Sequence, residues 1–281
     1  QIEGASGTAR LVYRTLDDLD TIRTAAHQAR RGVVVGGGLL GLEAANALRL
    51  LGLEAHIVEF APRLMPVQLD AQGGAALKAR IEALGVQVHL NRATQRIGPG
   101  TSHQYRMHFA DGDVLDTDLI VFSAGIRPRY ELAREAGLTL GSRGGIAIDD
   151  LCRTSDPAIS AIGECAAWQD TVFGLVAPGY QMARCVASRL CQTETTPFAG
   201  ADMSTKLKLL GVDVGSIGDA HAATPGARSY RFIDEATASY RRLVVSPDGK
   251  RVLGAVLVGD NSYYDTLLQY AQNGIAPPAD P

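Results

Sequence analysis

Val33-Val34-Val35-Gly36-Gly37-Gly38-Leu39-Leu40-Gly41-Leu42-Glu43-Ala44-Ala45 is a β-branched run that ends in glycines and passes directly into a helical pattern continued by Leu48, Leu50 and Leu51. Strand, tight turn and helix follow in that order. Gly36 permits the turn, Gly38 lets the backbone approach a pyrophosphate without a Cβ in the way, and Gly41 with Ala45 allows close packing of helix on strand. Phosphates then meet unpaired N–H groups at the positive end of the helix dipole. The next strand, Glu54-Ala55-His56-Ile57-Val58-Glu59, ends in an acid at the spacing where a carboxylate accepts ribose hydroxyls. A glycine-rich turn alone can serve packing, but this context points to a bound dinucleotide. NADH is expected over NADPH, because a 2′-phosphate would meet the Glu59 charge; Arg63, just beyond, keeps the phosphorylated cofactor open.

The 281 residues suffice for about two domains, and a hydrophobic share of 46% with 20% charged residues is that of an ordinary globular chain. A net charge of −3 without a basic run argues against nucleic acid or an anionic membrane. No stretch approaches the ~20 apolar residues of a membrane span, and the first residues show no charged n-region followed by an apolar h-region, so a cytoplasmic chain is expected. Cys152, Cys165, Cys185 and Cys191 show no Cys-x-x-Cys spacing, so ordinary cytoplasmic thiols are expected rather than a redox dithiol or metal site. The scattered histidines fit exposed or hydrogen-bonded side chains better than metal ligands. Because the chain starts at Gln1, it reads as a fragment or a processed product.

Residues 15–30 begin with a Thr15 N-cap and carry Leu16, Leu19, Ile22, Ala25 and Ala26 at helical spacing. A second helix is expected over 70–84, a strand over 86–90, and a hairpin of Tyr105–Phe109 and Val114-Leu115 around Asp111-Gly112. Asp118-Leu119-Ile120-Val121-Phe122 has the apolar continuity of a buried parallel strand. Further on, Ser123-Ala124-Gly125-Ile126-Arg127-Pro128 is a loop suited to a tight crossing beside a ligand or to a plain turn. Ala158–Ile162 reads as a short buried strand, and Gly163-Glu164 as a helix-start carboxylate that either contacts ligand hydroxyls or simply caps. Strands near 212–217, 240–245 and 252–259 and a helix over 265–273 form a small α+β unit after a linker at 193–202. The organisation expected is a lead-in segment (1–30), a Rossmann-like dinucleotide domain with a parallel sheet and an antiparallel hairpin layer (31–122), a further segment (123–200), and a C-terminal α+β domain (201–281).

Taken in order, the glycine motif at 36–43, Glu59-Phe60-Ala61-Pro62, Ser123 to Pro128, Thr154-Ser155-Asp156-Pro157, Ala161 to Ala166 and Leu207 to Val214 resemble the pyridine nucleotide–disulfide oxidoreductase family. Gly174 to Tyr180 and Gly218-Asp219-Ala220-His221 are similar, more narrowly, to the flavin module of bacterial NADH-dependent nitrite reductase large subunits. The resemblance implies that residues 123–200 are the distal part of an FAD-binding domain into which the NAD domain is inserted. It further implies that Gly163 and Glu164 bind the flavin ribityl chain, that Ala177 and Pro178 lie against the isoalloxazine, and that Gly125 belongs to the cofactor loop. Leu39 and Leu40 join Gly36, Gly38, Gly41 and Glu59 at the dinucleotide. Glu43 matches a position that orients the nicotinamide, with a solvated helix acid as the alternative. Many relatives have Asp where Glu164 stands, and no cysteine pair matches the disulfide-using members.

The resemblance implies an N-terminal FAD half with its own glycine motif, and since this sequence carries one such motif, an excised or truncated segment is expected. The function expected is hydride transfer from NADH to FAD, followed by delivery of single electrons to iron–sulfur and sirohaem modules of a longer parent that reduces nitrite to ammonia in nitrate assimilation. The alternatives are a stand-alone reductase of a rubredoxin or ferredoxin, or a non-catalytic NADH-binding module. The C-terminal sheet could form a homodimer face or cover its own core.

Overall fold

A computed structural model describes residues 2–7 and 10–277; Gln1, Thr8, Ala9 and 278–281 lie outside the described residues. Strand β1 (Leu11–Val12) leads into α1 (Leu16–Ala26). Thr15 starts α1 through a capping box: its hydroxyl accepts the Asp18 N–H at 3.2 Å, and its own N–H donates to the Asp18 carboxylate at 2.8 Å. The helix stops short of the expected residue 30. Arg30 and Arg31 instead donate their N–H groups to Asp118, at 2.9 and 3.1 Å, as the chain enters the sheet.

Then follow β2 (Arg31–Val35), α2 (Leu39–Leu50), β3 (Glu54–Val58), α3 (Ala71–Ala83), β4 (Gln87–His89), β5 (Thr94–Pro99), β6 (Tyr105–Phe109), β7 (Val114–Thr117) and β8 (Leu119–Phe122). Strands β1, β8, β2, β3 and β4 form a parallel sheet in that order, with Val33 opposite both His56 and Ile120. Both Val33 and Val34 are wholly buried. Val34 packs with Leu42, Ala45, Leu48 and Ile57 on one face, and Val33 with Val58, Met107 and Phe109 on the other. Burial on two faces explains why β2 is continuously apolar rather than alternating. The hairpin layer has a third strand, β5, which pairs antiparallel with β6.

The chain then forms α4 (Glu131–Glu135), β9 (Ile146–Ile148), a 3-10 turn at Gly163–Cys165, β10 (Ala166–Trp168), β11 (Thr171–Val172) and α5 (Val176–Leu190). Two expectations fail here. No strand forms over 158–162, where Ser160 makes only an isolated bridge to Arg153. The Thr154 hydroxyl donates to the Asp156 and Ile159 carbonyls, at 3.0 Å each, a local turn that competes with strand pairing. Glu164 starts no helix; its 3-10 turn runs straight into β10. The segment expected as a linker holds buried Phe198, whose N–H donates to the Asp150 carbonyl at 2.7 Å.

Last come β12 (Thr205–Leu209), β13 (Val212–Gly218), β14 (Arg228–Asp234), β15 (Ser239–Val245), β16 (Val252–Val258) and α6 (Tyr264–Asn273). The strands make an antiparallel sheet ordered β12-β13-β16-β15-β14. Helix α3 packs on β15 and β16, so Leu77 and Ile81 share one core with Tyr240, Val256 and Val258. Accordingly the chain divides into two compact units, Gln1–Gly125 with Ser204–Pro281, and Ile126–Met203. No described helix is long and apolar enough to cross a membrane.

Candidate functional site

At the end of β2 the backbone takes φ +118° at Gly36, and a Cβ there would stand 2.3 Å from the Ser123 carbonyl oxygen. Glycine is the residue that fits. A side chain at Gly41 would run into the Gly36 carbonyl, whereas a Cβ at Gly38 would meet nothing within 4 Å. The turn is thus closed by protein at Gly36 and Gly41 and open at Gly38. Gly38 is the N-cap of α2, with no side-chain cap and no acidic residue in the first turn. Leu39, Leu40 and Gly41 begin the helix, where N–H groups lack intrahelical carbonyl partners and the dipole is positive. This cradle suits an anion that brings its own oxygens. Glu43 lies one turn on, exposed on α2.

Half-buried Glu59 follows β3 and faces the same turn. Its carboxylate accepts the Gly37 N–H at 2.5 Å and the Ala61 N–H at 2.7 Å, while its own N–H donates to the His89 carbonyl at 2.8 Å. Gly37 is held from the other side by Met65, whose N–H donates to the Gly37 carbonyl at 2.9 Å. A carboxylate fixed by two amides keeps lone pairs for hydroxyl donors. Arg63 does not project toward this acid's ligand side as a free cation: its Nε donates to the Leu69 carbonyl at 2.8 Å and its Nη2 to the Pro66 carbonyl at 3.2 Å.

In β3 and β4, His56 Nδ1 and His89 Nε2 share a hydrogen bond of 2.9 Å, and His56 Nε2 lies 3.1 Å from Glu54 Oε1. Burial holds both imidazoles below their ordinary pKa, against the pull of Glu54 on His56. Asp118 would be raised by burial, but the Arg30 N–H, the His103 ring and the Arg31 and Gln104 N–H groups bring it down to about 2.

A second group of expected residues lies in the other compact unit. Gly163 has φ +77° and donates its N–H to the Met182 sulfur at 3.3 Å. Half-buried Glu164 sits on this 3-10 turn. Ala177 and Pro178 occupy the first turn of α5, which has neither a side-chain cap nor an acidic first turn, and a Cβ at Gly179 would stand 3.3 Å from the Gly163 Cα. The structure therefore brings Gly163 and Glu164 beside the start of α5. Gly125, with φ +88°, belongs instead to the first unit, where it is exposed in the loop after β8.

Met65, which holds the Gly37 carbonyl, Leu64, whose side chain lies against Gly37, and Ala61, which holds the Glu59 carboxylate, carried no sequence signal beyond the prolines that mark a loop. No group of His, Cys, Asp and Glu among the described residues could hold a metal.

A model of the pyridine nucleotide-disulphide oxidoreductase family matches residues 1–185, and one of the rubredoxin NAD+ reductase C-terminal domain matches residues 204–275. The chain is 55% identical to the nitrite reductase (NADH) large subunit of Escherichia coli over all of its length, and 59% identical to the nitrite reductase [NAD(P)H] large subunit of Klebsiella oxytoca over 96%. It spans 33% and 28% of those relatives. Among solved structures, the ferredoxin reductase for the CYP199A2 system from Rhodopseudomonas palustris is 26% identical, with a TM-score of 0.82, over 98% of this chain and 68% of that one. The water-forming NADH oxidase from Lactobacillus brevis, bound to NADH, shares the fold at 22% identity and a TM-score of 0.83, over 98% of this chain and 65% of that one. The chain belongs to the pyridine nucleotide-disulphide oxidoreductase family.

Proposed function

We propose that this chain is the NADH-oxidising flavin module of a cytoplasmic nitrite reductase large subunit, passing hydride from NADH to FAD. The open, uncapped start of α2 beside the amide-fixed Glu59 carboxylate carries the reading. Residues 36–41 would bind the pyrophosphate through backbone N–H groups, and Glu59 would accept the adenosine ribose hydroxyls. Leu39 and Leu40 would border this site, and Glu43 would orient the nicotinamide. In residues 123–200, Glu164 would accept ribityl hydroxyls at the Gly163 turn, while Ala177 and Pro178 would border the flavin and Gly125 its loop. When bound, FAD supplies a two-electron acceptor that can release electrons singly. The protein's own work is to orient and to exclude water. In the longer parent, electrons would continue to iron–sulfur and sirohaem modules and reduce nitrite to ammonia; pairing of two copies would use the C-terminal sheet.

A second reading is favoured by the C-terminal match and by 33% identity to the rubredoxin-NAD(+) reductase of Pseudomonas putida over 69% of this chain. A stand-alone reductase would hand electrons to a small separate carrier.

The test is titration with NADH and NADPH, followed by ligand fluorescence, with an absorbance scan for flavin. NADH-selective binding is expected. Failure to bind either nucleotide would sink the assignment of residues 36–59. Nitrite-dependent NADH oxidation by the full-length parent, against carrier reduction, separates the two readings.

A further inference from the structure

Residues 59–70 form a loop that touches the dinucleotide turn at one end and the C-terminal sheet at the other. Near its start, Glu59 and Met65 hold Gly37 by its N–H and its carbonyl, and Leu64 and Met65 are wholly buried. Met65 has φ +47°, a strained conformation for a side-chain-bearing residue that persists only when its surroundings fix it. The Gln68 and Leu69 N–H groups both donate to the Met65 carbonyl, at 3.0 and 2.9 Å, and Arg63 spans the loop to Leu69. At the far end, buried Asp70 caps α3 by accepting the Gly73 N–H at 3.1 Å. Its other oxygen accepts the Tyr240 hydroxyl at 2.7 Å and Arg242 Nη1 at 3.3 Å, and both partners come from β15. A third tie comes from the loop after β13, where His221 Nε2 donates to the Val67 carbonyl at 2.8 Å.

A loop held by local bonds and fixed at both ends transmits displacement rather than absorbing it. We propose that the C-terminal sheet sets the affinity for the adenosine end of the dinucleotide, with Tyr240, Arg242 and His221 as positioning residues that act through the 59–70 loop on Gly37 and Glu59. This rests on the dinucleotide reading of residues 36–59. Tyr240 donates a hydrogen bond to the carboxylate and stays protonated, because burial and the Asp70 charge both disfavour the phenolate.

The experiment is titration of the intact chain with NADH and with ADP-ribose, alongside thermal melts, for the wild type, Tyr240→Phe, His221→Ala and His221→Gln. Tyr240→Phe and His221→Ala are expected to weaken both ligands by the same factor, roughly 3- to 10-fold, and His221→Gln, which keeps a donor, to recover affinity. Adding Tyr240→Phe to Glu59→Ala is expected to cost less than the sum of the two, since both act on one contact. Lower melting temperatures with unchanged affinities would overturn the proposal and leave these bonds a purely structural role. If Tyr240→Phe does not fold, the two His221 variants decide alone. A wild type that binds neither ligand would overturn the dinucleotide reading itself, a result distinct from one in which the wild type binds and the variants match it.

Discussion

A Cβ on Gly36 would stand 2.3 Å from the Ser123 carbonyl oxygen, well inside van der Waals separation. The end of β2 and the end of β8 meet at this point, and Gly36 adopts φ +118° to pass. Gly36→Ala is therefore expected to lose about 1–3 kcal/mol to backbone strain alone, and to abolish NADH binding even where the fold survives. Urea titration beside NADH fluorescence measures both; a variant that binds normally would contradict this geometry.

Glu59→Ala removes the acceptor for the Gly37 and Ala61 N–H groups as well as the proposed ribose contact. Charged hydrogen bonds of this kind are worth about 1.5–3 kcal/mol, so NADH affinity should fall about 10- to 100-fold. Calorimetric titration checks it. Arg63→Ala should leave the NADH to NADPH preference unchanged, because the guanidinium is already spent on loop carbonyls.

Legibility in the sequence followed the range of the interactions. The run from Val33 to Glu59 was readable because its strand, turn, helix and acid are contiguous, and each obeys a local rule. Thr15 was readable for the same reason, its capping partner being three residues away. Strand β14 was not: Tyr230, Phe232 and Ile233 are all exposed, so neither face shows the apolar alternation of a half-buried strand. Helix α5 hides its start behind Ala177-Pro178-Gly179, although proline in a first turn gives up an N–H that has no helical partner there. The clasp of Asp70 by Tyr240 and Arg242 joins residues 170 and 172 positions apart, where no motif spacing operates.

Acid should weaken the fold through the hydrogen-bonded imidazoles of His56 and His89. Burial lowers the pKa of both His56 and His89 from the usual 6.5 in the folded chain. Below about 6.5 the unfolded chain then binds more protons, so stability is complete above that pH and falls as pH drops toward the folded values. Melting temperature should be level from about pH 7 to 8 and decline toward pH 5, and the slope should be shallower in His89→Gln. An unchanged slope would assign the acid sensitivity to other groups.

Thiol reactivity should sort by burial. Cys191 is exposed, whereas buried Cys152 is pushed up to about 12 by burial and the adjacent Cys185. A disulfide-exchange reagent at pH 8 should modify Cys191 first and reach Cys152 only on unfolding. Mass mapping of the modified peptides reads the order.

Loss of the α1 capping box in Thr15→Ala should cost about 1 kcal/mol without changing nucleotide affinity. Equilibrium denaturation measures the first and titration the second.

The bond between Asp70 and Tyr240 also sets a timetable. On a ribosome adding about 5–20 residues per second, the 170 residues that separate the two take about 10–30 s to emerge. Within that interval β4 and β8 are made and the parallel sheet can assemble, while α3 presents Leu77 and Ile81 without the antiparallel sheet that packs on them. The nascent protein thus carries a temporary sticky face and a buried-to-be carboxylate still in water, a period in which a chaperone would have something to hold.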